Sequence, residues 1–193
     1  MKKDSRYQKT ETAILTTLAK ILEENPRLIS LNPSDLARRA RISLSTFYRH
    51  YNTIEEMLIA YESKLVLKFE SSLHFRRVKT LKNTMQFTLV FIIKYKRFFK
   101  IAFCRGDQNL LRRIFEVLKP KIITSCHWSK NQDQLFDICF YELYGLLEDW
   151  SEGAFKEKEI FSITNNIIYL LKSAPARLKG VIWHSWHASA KDL

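Results

Sequence analysis

The sequence predicts an all-α protein, and three observations support that class. Glycine and proline are scarce, with 4 of each in 193 residues, whereas β-rich domains need many such residues for their turns. Apolar residues recur at the three- and four-residue spacing of helices, and no stretch alternates as a half-buried strand does. Hydrophobic residues make up 46% and charged residues 27% of the chain, which is the composition of a folded domain rather than a disordered one.

The first fifty residues contain three helix patterns. Apolar residues fall on one stripe over residues 10–24, and an Asn-Pro pair then ends this helix. A second, short helix starts where Asn32 can cap it and Pro33 takes the first helical position. A third, over residues 44–51, follows Ser43, which can cap it in the same way. These patterns predict three helices, of which the last two are only about two turns long.

The turn Ala40-Arg41-Ile42 joins the last two of these helices. Two short helices joined in this way form a helix-turn-helix, the geometry that places a second helix in the DNA major groove. That groove is about 12 Å wide and admits one helix. The spacing therefore favours DNA binding, and the alternative is a small three-helix bundle that does not bind DNA.

The side chains of the third helix suit contact with DNA. Small hydroxyl side chains let a helix approach base edges, and larger polar groups reach bases and phosphates. The hydroxyl residues are Ser43, Ser45 and Thr46, and the larger ones are Tyr48, Arg49 and His50. Phe47 and Tyr51 would form the inward face that holds this helix to its neighbours. A net charge of +12, from 32 Lys and Arg against 20 Asp and Glu, also favours an anionic partner.

The rest of the chain predicts further helices. A capping box at Thr53 and Glu56 opens a long helix. Later helices are predicted over residues 83–103, from the Gly106-Asp107 pair to 119, from Pro120 to 128, from an Asn131 cap to about 152, and over about 156–173. The last two are apolar on nearly every side, and such helices must be buried on every side. We therefore expect them to form a homodimer interface, and a deeply buried pair in a monomer is the alternative.

Several short motifs are shared with one protein family. They are Leu36-Ala37-(x2)-Ala40 in the second helix, Phe47-Tyr48-Arg49-His50-Tyr51 in the third, and Glu55-Glu56-(x)-Leu58 at the start of the fourth. Through these motifs, residues 10–60 resemble the TetR family, the tetracycline-repressor-like bacterial transcriptional regulators. Residues 140–153 and 159–171 are more weakly similar to the last two helices of a TetR-type C-terminal domain.

The resemblance implies a helix-turn-helix domain over residues 1–53 and a helical effector-binding and dimerisation domain over 54–193. It implies a DNA-binding transcriptional regulator, most often a repressor, that binds a palindromic operator as a homodimer through the helices over about 132–152 and 156–173. A small-molecule effector would release the DNA. The DNA-binding residues would be Ser34, Arg41, Ser43, Leu44, Ser45, Thr46, Tyr48, Arg49 and His50. The alternative is a TetR-like adaptor or coactivator that acts through a protein partner without a small-molecule ligand.

Three positions depart from the pattern of the family. Arg41 stands where the family usually has glycine, in a turn that tends to need a positive φ, so we expect a cost of about 1 kcal/mol there. The charge of Arg41 would be available to a phosphate. Ser45 stands where glycine is frequent, and Ile54 replaces a frequent lysine that would contact a phosphate.

Seven aromatic residues are the candidate lining of an apolar effector pocket in the C-terminal domain. They are Phe87, Phe91, Tyr95, Phe99, Trp128, Phe140 and Tyr144. The alternative is that each ring is simply part of the core, and for any single ring we favour the core.

No catalytic or metal-binding motif stands out, so we expect neither an enzyme nor a bound metal or cofactor. The 4 glycines are too far apart for a nucleotide-binding loop, and the 3 cysteines lack the spacing of a zinc site. His184 and His187 could share a metal, although a packed or frayed aromatic tail is the better expectation. The cysteines fit a reducing compartment, no stretch is long enough to span a bilayer, and no signal peptide is visible. These features predict a cytoplasmic protein without membrane contact.

Overall fold

The computed structural model describes residues 5–24, 31–75, 78–128 and 133–189, and the side chains in these ranges except at 19, 22, 23 and 177–189. All regular elements of the described ranges are helices, which confirms the predicted all-α class. In chain order the α-helices are α1 (Ser5–Glu24), α2 (Pro33–Arg39), α3 (Leu44–His50), α4 (Ile54–Phe75), α5 (Leu81–Lys94), α6 (Lys96–Cys104), α7 (Asn109–Cys126), α8 (Asp133–Glu152) and α9 (Ile160–Ser189). A 3₁₀ turn, Glu157–Glu159, precedes α9. None of the helices in these ranges combines the length and the apolar character that a bilayer span needs.

The chain forms two compact units, and each unit is made of two separate segments of sequence. The first unit contains Met1–Lys68 and Tyr95–Leu110, and the second contains Phe69–Lys94 and Leu111–Leu193. Each unit is therefore completed by residues that are distant along the chain. The boundary predicted between residues 53 and 54 is a division by function, and it stays a prediction.

The core of the first unit gathers residues from five helices. Helix α1 contacts α2 and α6, and α2 contacts α3. The apolar stripe predicted for α1 is buried, as Ile14 and Leu18 illustrate. The residues that other helices contribute to this core include Leu36, Ala37, Phe47, Met57, Phe98 and Phe99. Burial of these side chains fixes α2 and α3 against α1.

The core of the second unit is built around α9. Helices α5 and α8 both pack against α9. The buried residues of these helices include Leu89 and Ile92 of α5, Phe136 and Phe140 of α8, and Ile167 and Leu171 of α9. Trp128, which follows α7, donates a hydrogen bond from its Nε1 to the carbonyl oxygen of Leu171 at 3.1 Å. This bond ties the end of α7 to α9.

Two predictions in the middle of the chain, one of a continuous helix and one of a break, are wrong. The helix predicted over 83–103 is broken at Tyr95, whose backbone (φ −113°, ψ 24°) is not helical, so α5 and α6 form instead. No glycine or proline marks this break, which arises because the residues on its two sides are buried in different units. The break predicted at Pro120 is absent, and α7 continues through it. Pro120 is exposed, so water can hydrogen-bond the carbonyl group that the proline leaves without a backbone donor.

The ends of the last two helices agree only in part with the sequence pattern. Helix α8 ends at Glu152, as predicted, and the Asn131 cap predicted for its start lies outside the described residues. Helix α9 begins at Ile160 and continues through Pro175 to Ser189, well past the predicted end at 173.

Candidate nucleic-acid interface

Side-chain caps determine where α2 and α3 begin. The Oδ1 atom of Asn32 accepts a hydrogen bond from the N–H of Asp35 at 2.8 Å. The Oγ atom of Ser43 accepts one from the N–H of Thr46 at 3.1 Å. Both caps that the sequence predicts are therefore confirmed, and Pro33 takes the first position of α2. A cap of this kind contributes about 1 kcal/mol to helix stability.

The turn between α2 and α3 contains a strained residue. The N–H of Ile42 donates to the carbonyl oxygen of Ala37 at 3.0 Å, and the N–H of Arg41 donates to that of Arg38 at 3.1 Å. These two bonds form a Schellman motif, which usually has glycine in the left-handed position. Arg41 occupies that position with a φ of 56°, which confirms the expected positive φ. A side chain there costs about 1 kcal/mol relative to glycine.

The inward face of α3 is anchored by the two residues that the sequence predicts. Phe47 is fully buried, and Tyr51, which caps the end of α3, is 5% exposed. The Tyr51 hydroxyl donates to Glu11 of α1 at 2.5 Å, and the same carboxylate forms an ion pair with Lys64 of α4. Burial, together with the Glu11 carboxylate, raises the pKa of Tyr51 above its ordinary value. Helix α3 is therefore anchored by one buried ring and by one hydrogen bond to α1, whose carboxylate is in turn paired with α4.

The opposite face of α3 is open to solvent. Tyr48 is 50% exposed and Leu44 is 40% exposed. The exposed members of the predicted DNA-binding set are Ser34, Arg41, Ser43, Leu44, Ser45, Tyr48 and Arg49, and the half-buried ones are Thr46 and His50. The Ser43 hydroxyl lies 2.9 Å from that of Ser45 and 2.7 Å from that of Thr46, so the three hydroxyls cluster at the start of α3.

His50 is held differently from the rest of the predicted set. Its ring stacks on the ring of Tyr7 in α1, with centroids 3.9 Å apart and planes inclined by 23°. Sequence reasoning missed Tyr7 because it started the first helix at residue 10, whereas α1 starts at Ser5. The signal was available, since Tyr7 lies seven residues before Ile14 and so falls on the same helical stripe.

Two arginines beside α3 carry charge that no described carboxylate compensates. Arg38 and Arg39 of α2 each form an ion pair at 2.8 Å, one with Asp35 of the same helix and one with a glutamate of α1. Arg41 and Arg49 are exposed and form no ion pair within the described ranges. The outer surface of the turn and of α3 therefore presents uncompensated positive charge next to small hydroxyl side chains.

The helix that follows begins with part of the predicted capping box. The Thr53 Oγ1 atom accepts from the N–H of Glu56 at 3.0 Å, as expected for the cap. The Glu56 carboxylate accepts from the N–H of Asn52 at 2.8 Å, one residue earlier than a capping box requires. Both bonds fix the start of α4 directly after α3.

The seven aromatic residues predicted to line a pocket are divided between the units, two in the first and five in the second. The buried ones are Phe91, Phe99, Trp128, Phe140 and Tyr144, and the half-buried ones are Phe87 and Tyr95. In the second unit, Phe87 and Phe91 pack on Phe69, with ring centroids 5.7 and 5.1 Å away. These are core contacts, although Phe87 also lines an open depression of the second unit.

The two helices predicted to form a homodimer, α8 and α9, pack on each other in the second unit. Each also keeps large apolar side chains exposed. On α8 they are Ile138 (43%) and Tyr141 (57%), and on α9 they are Phe161 (58%) and Tyr169 (71%). Each helix therefore has a face inside the unit and apolar surface outside it.

No group of His, Cys, Asp or Glu in the part of the chain that the structure describes is arranged to hold a metal ion. The side chains of His184 and His187 lie outside that part. Comparison of the chain with protein-family models, with curated proteins and with solved structures found no match.

Proposed function

We propose that this chain is a DNA-binding transcriptional regulator, acting in the cytoplasm as a repressor rather than as an enzyme. The observation that carries the proposal is the two-sided construction of α3. Phe47 and Tyr51 hold one side of the helix to the first unit, and the other side carries Tyr48 and the uncompensated charge of Arg49. A helix held in this way has its polar face free for a macromolecular anion.

The chemistry of the free face divides into two tasks. A seven-residue helix is about 10 Å long, which is short enough to lie within one major groove. Arg41, in the turn, and the first N–H groups of α3 would contact phosphates, which position the helix without reading sequence. Tyr48 and Arg49 would reach base edges, where specificity is read.

A symmetric homodimer would bind a palindromic operator. The exposed apolar side chains of α8 and α9 are the surface we propose for a homodimer, because burying them against a second copy removes them from water. A two-fold dimer presents two copies of α3, so its half-sites would be related by the same symmetry and spaced by about 34 Å or a multiple of it. A small-molecule effector bound in the helical second unit would release the DNA.

The test is binding to the DNA immediately upstream of the protein's own gene, at about 0.15 M salt. We expect saturable binding that an unrelated duplex of equal length does not compete away. Tyr48→Ala should weaken this binding about tenfold or more, while size-exclusion chromatography shows an unchanged dimer. Lys158→Gln, which removes an exposed charge from the second unit, is the matched control and should bind almost as the parent does.

Two results would overturn the proposal. One is operator affinity that does not change in Tyr48→Ala. The other is binding that is blind to sequence and disappears with modest salt, which would favour the adaptor or coactivator that works through a protein partner.

A further inference from the structure

An open depression of about 700 Å³ lies in the second unit along the outer side of α5. This volume is within the range of small-molecule sites. Its lining residues are Val78, Lys79, Thr80, Asn83, Gln86, Phe87 and Val90. Gln86 and Phe87 lie three and four residues after Asn83, and Val90 lies four and three residues after them, so these four residues share one face of α5. From Thr80 to Val90 this face is about 15 Å long.

The lining changes character from one end of the depression to the other. The end before and at the first turn of α5 has the amine of Lys79, the hydroxyl of Thr80 and the amide of Asn83. The far end has the ring of Phe87 and the side chain of Val90, which is 52% exposed although it is apolar. A ligand that fills the depression would therefore meet polar groups at one end and hydrocarbon at the other.

The polar end has positive charge and no described acidic partner. None of the lining residues is acidic, and no residue in the first turn of α5 is acidic. Lys82 lies one turn before Gln86, and its Nζ is 4.7 Å from the ring centroid of Phe161 rather than beside a carboxylate. Lys79, which lines the depression, forms no ion pair within the described ranges, so its charge is available to an anion.

Another amine, that of Lys121, contacts the backbone at the polar end of the depression. The Nζ of Lys121, on α7, donates a hydrogen bond to the carbonyl oxygen of Val78, which is part of the lining. Burial lowers the pKa of Lys121, because its ammonium group has lost part of its hydration. A bound anion nearby would compensate for that loss.

We propose that the depression binds an amphipathic carboxylate, with its anionic head at Lys79 and Thr80 and its hydrocarbon chain along Phe87 and Val90. Charge complementarity selects an anion over a cation, and the apolar end selects a ligand with a chain over a bare anion. This binding is a property of the second unit and does not require DNA binding. Its use as the effector signal would rest on the proposed function.

The probe is decanoate, titrated into the full-length protein by isothermal calorimetry at a concentration that forms no micelles. We expect saturable binding of one decanoate per chain, with acetate and decyltrimethylammonium both at least about tenfold weaker. Equal binding of the cationic detergent would overturn the proposal, as would the absence of saturation. Binding to phosphatidylglycerol vesicles without binding of free decanoate would also overturn it, because the ligand would then be a membrane surface.

Two variants test the two ends of the depression separately. Lys79→Gln removes the charge at the head, and Val90→Glu places an acid at the exposed apolar end, where the fold has room for it. Each should weaken decanoate binding about tenfold, and Lys158→Gln, on the 3₁₀ turn, should not. If neither variant changes the affinity, the carboxylate binds elsewhere and the proposal fails. Operator binding is measured independently, so its failure would leave this result unaffected.

Discussion

Basic side chains are used in opposite ways by the α7–α8 pair of the second unit and by α3 and its preceding turn in the first unit. On α7, Arg112 donates to Asp137 of α8 at 2.7 Å, and its guanidinium carbon lies 4.3 Å from the ring centroid of Phe140. Two helical turns later, Lys119 has the same arrangement. Its Nζ lies 2.8 Å from the Asp133 carboxylate and 4.6 Å from the ring centroid of Phe136. Both cations thus bind α8 twice, through a carboxylate and through a ring.

The basic residues of α3 and its preceding turn form no such contacts. Arg41 and Arg49 meet neither a carboxylate nor an aromatic ring among the described residues. The helix is held instead by Phe47 and by the hydrogen bond of Tyr51 to Glu11. Arg112 and Lys119 therefore stabilise the packing of α7 on α8, whereas the charge of Arg41 and Arg49 is available to an external anion.

The largest expected effect is on the free energy of unfolding, which should differ between a buried side chain of α8 and an exposed side chain of α3. Phe140→Ala should lower the free energy of unfolding by about 3–5 kcal/mol, because it empties a fully buried site. Tyr48→Ala should lower it by about 1 kcal/mol or less, because half of that side chain is already in water. Urea denaturation followed by circular dichroism measures both. A loss from Tyr48→Ala as large as that from Phe140→Ala would mean that α3 is not an open helix.

The next largest effect concerns DNA. Arg49→Gln should weaken operator binding by about 1–3 kcal/mol and leave the urea midpoint unchanged, because Arg49 has no described partner to lose. Fluorescence anisotropy at several salt concentrations separates its possible contacts: a lost phosphate contact also reduces the salt slope by about one. If Arg49→Gln is destabilised but binds DNA normally, Arg49 contributes to the fold and not to DNA binding.

The mirror-image substitution is Arg112→Gln. It should lower the free energy of unfolding by about 1 kcal/mol, since it removes a partly exposed ion pair together with a cation–ring contact. Operator binding should not change, because this charge is already engaged. Arg112→Lys is the control, and it should recover part of the stability because it keeps the charge but not the planar donor group. A fall in operator affinity with Arg112→Gln would contradict the prediction that an ion-paired arginine does not contribute to DNA binding.

The smallest expected effect concerns the backbone at Arg41. Arg41→Gly should raise the free energy of unfolding by about 0.5–1 kcal/mol, because glycine relieves the strain of the left-handed turn. The same variant should weaken operator binding through the lost charge. Gly106→Ala is the matched control: Gly106 has a φ of 65° in a turn with the same hydrogen-bond pattern, so alanine should destabilise it by a similar amount. A stability loss in Arg41→Gly would contradict the assignment of strain.

Local features of α2 and α3 were predictable from the sequence because they depend on residues only a few positions apart. The caps Asn32 and Ser43 reach N–H groups three residues ahead. The burial of Phe47 follows from helical periodicity, and the positive φ of Arg41 was expected from the resemblance, since the family usually has glycine at that position. The all-α class itself rests on the same kind of short-range repetition.

Features that depend on residues distant in the sequence could not be predicted from it. The break at Tyr95 follows from which side chains each unit buries, and no local signal marks it. The local signal at Pro120 predicts a break that is absent, because α7 continues there with the proline exposed to water. The stacking of Tyr7 on His50 joins residues more than forty positions apart. The all-α class, the caps of α2 and α3 and the inward side of α3 follow from residues that are close together in the sequence. The tertiary structure alone decided which charges are engaged and where a depression remains, because both depend on packing between helices rather than on the order of residues along one of them.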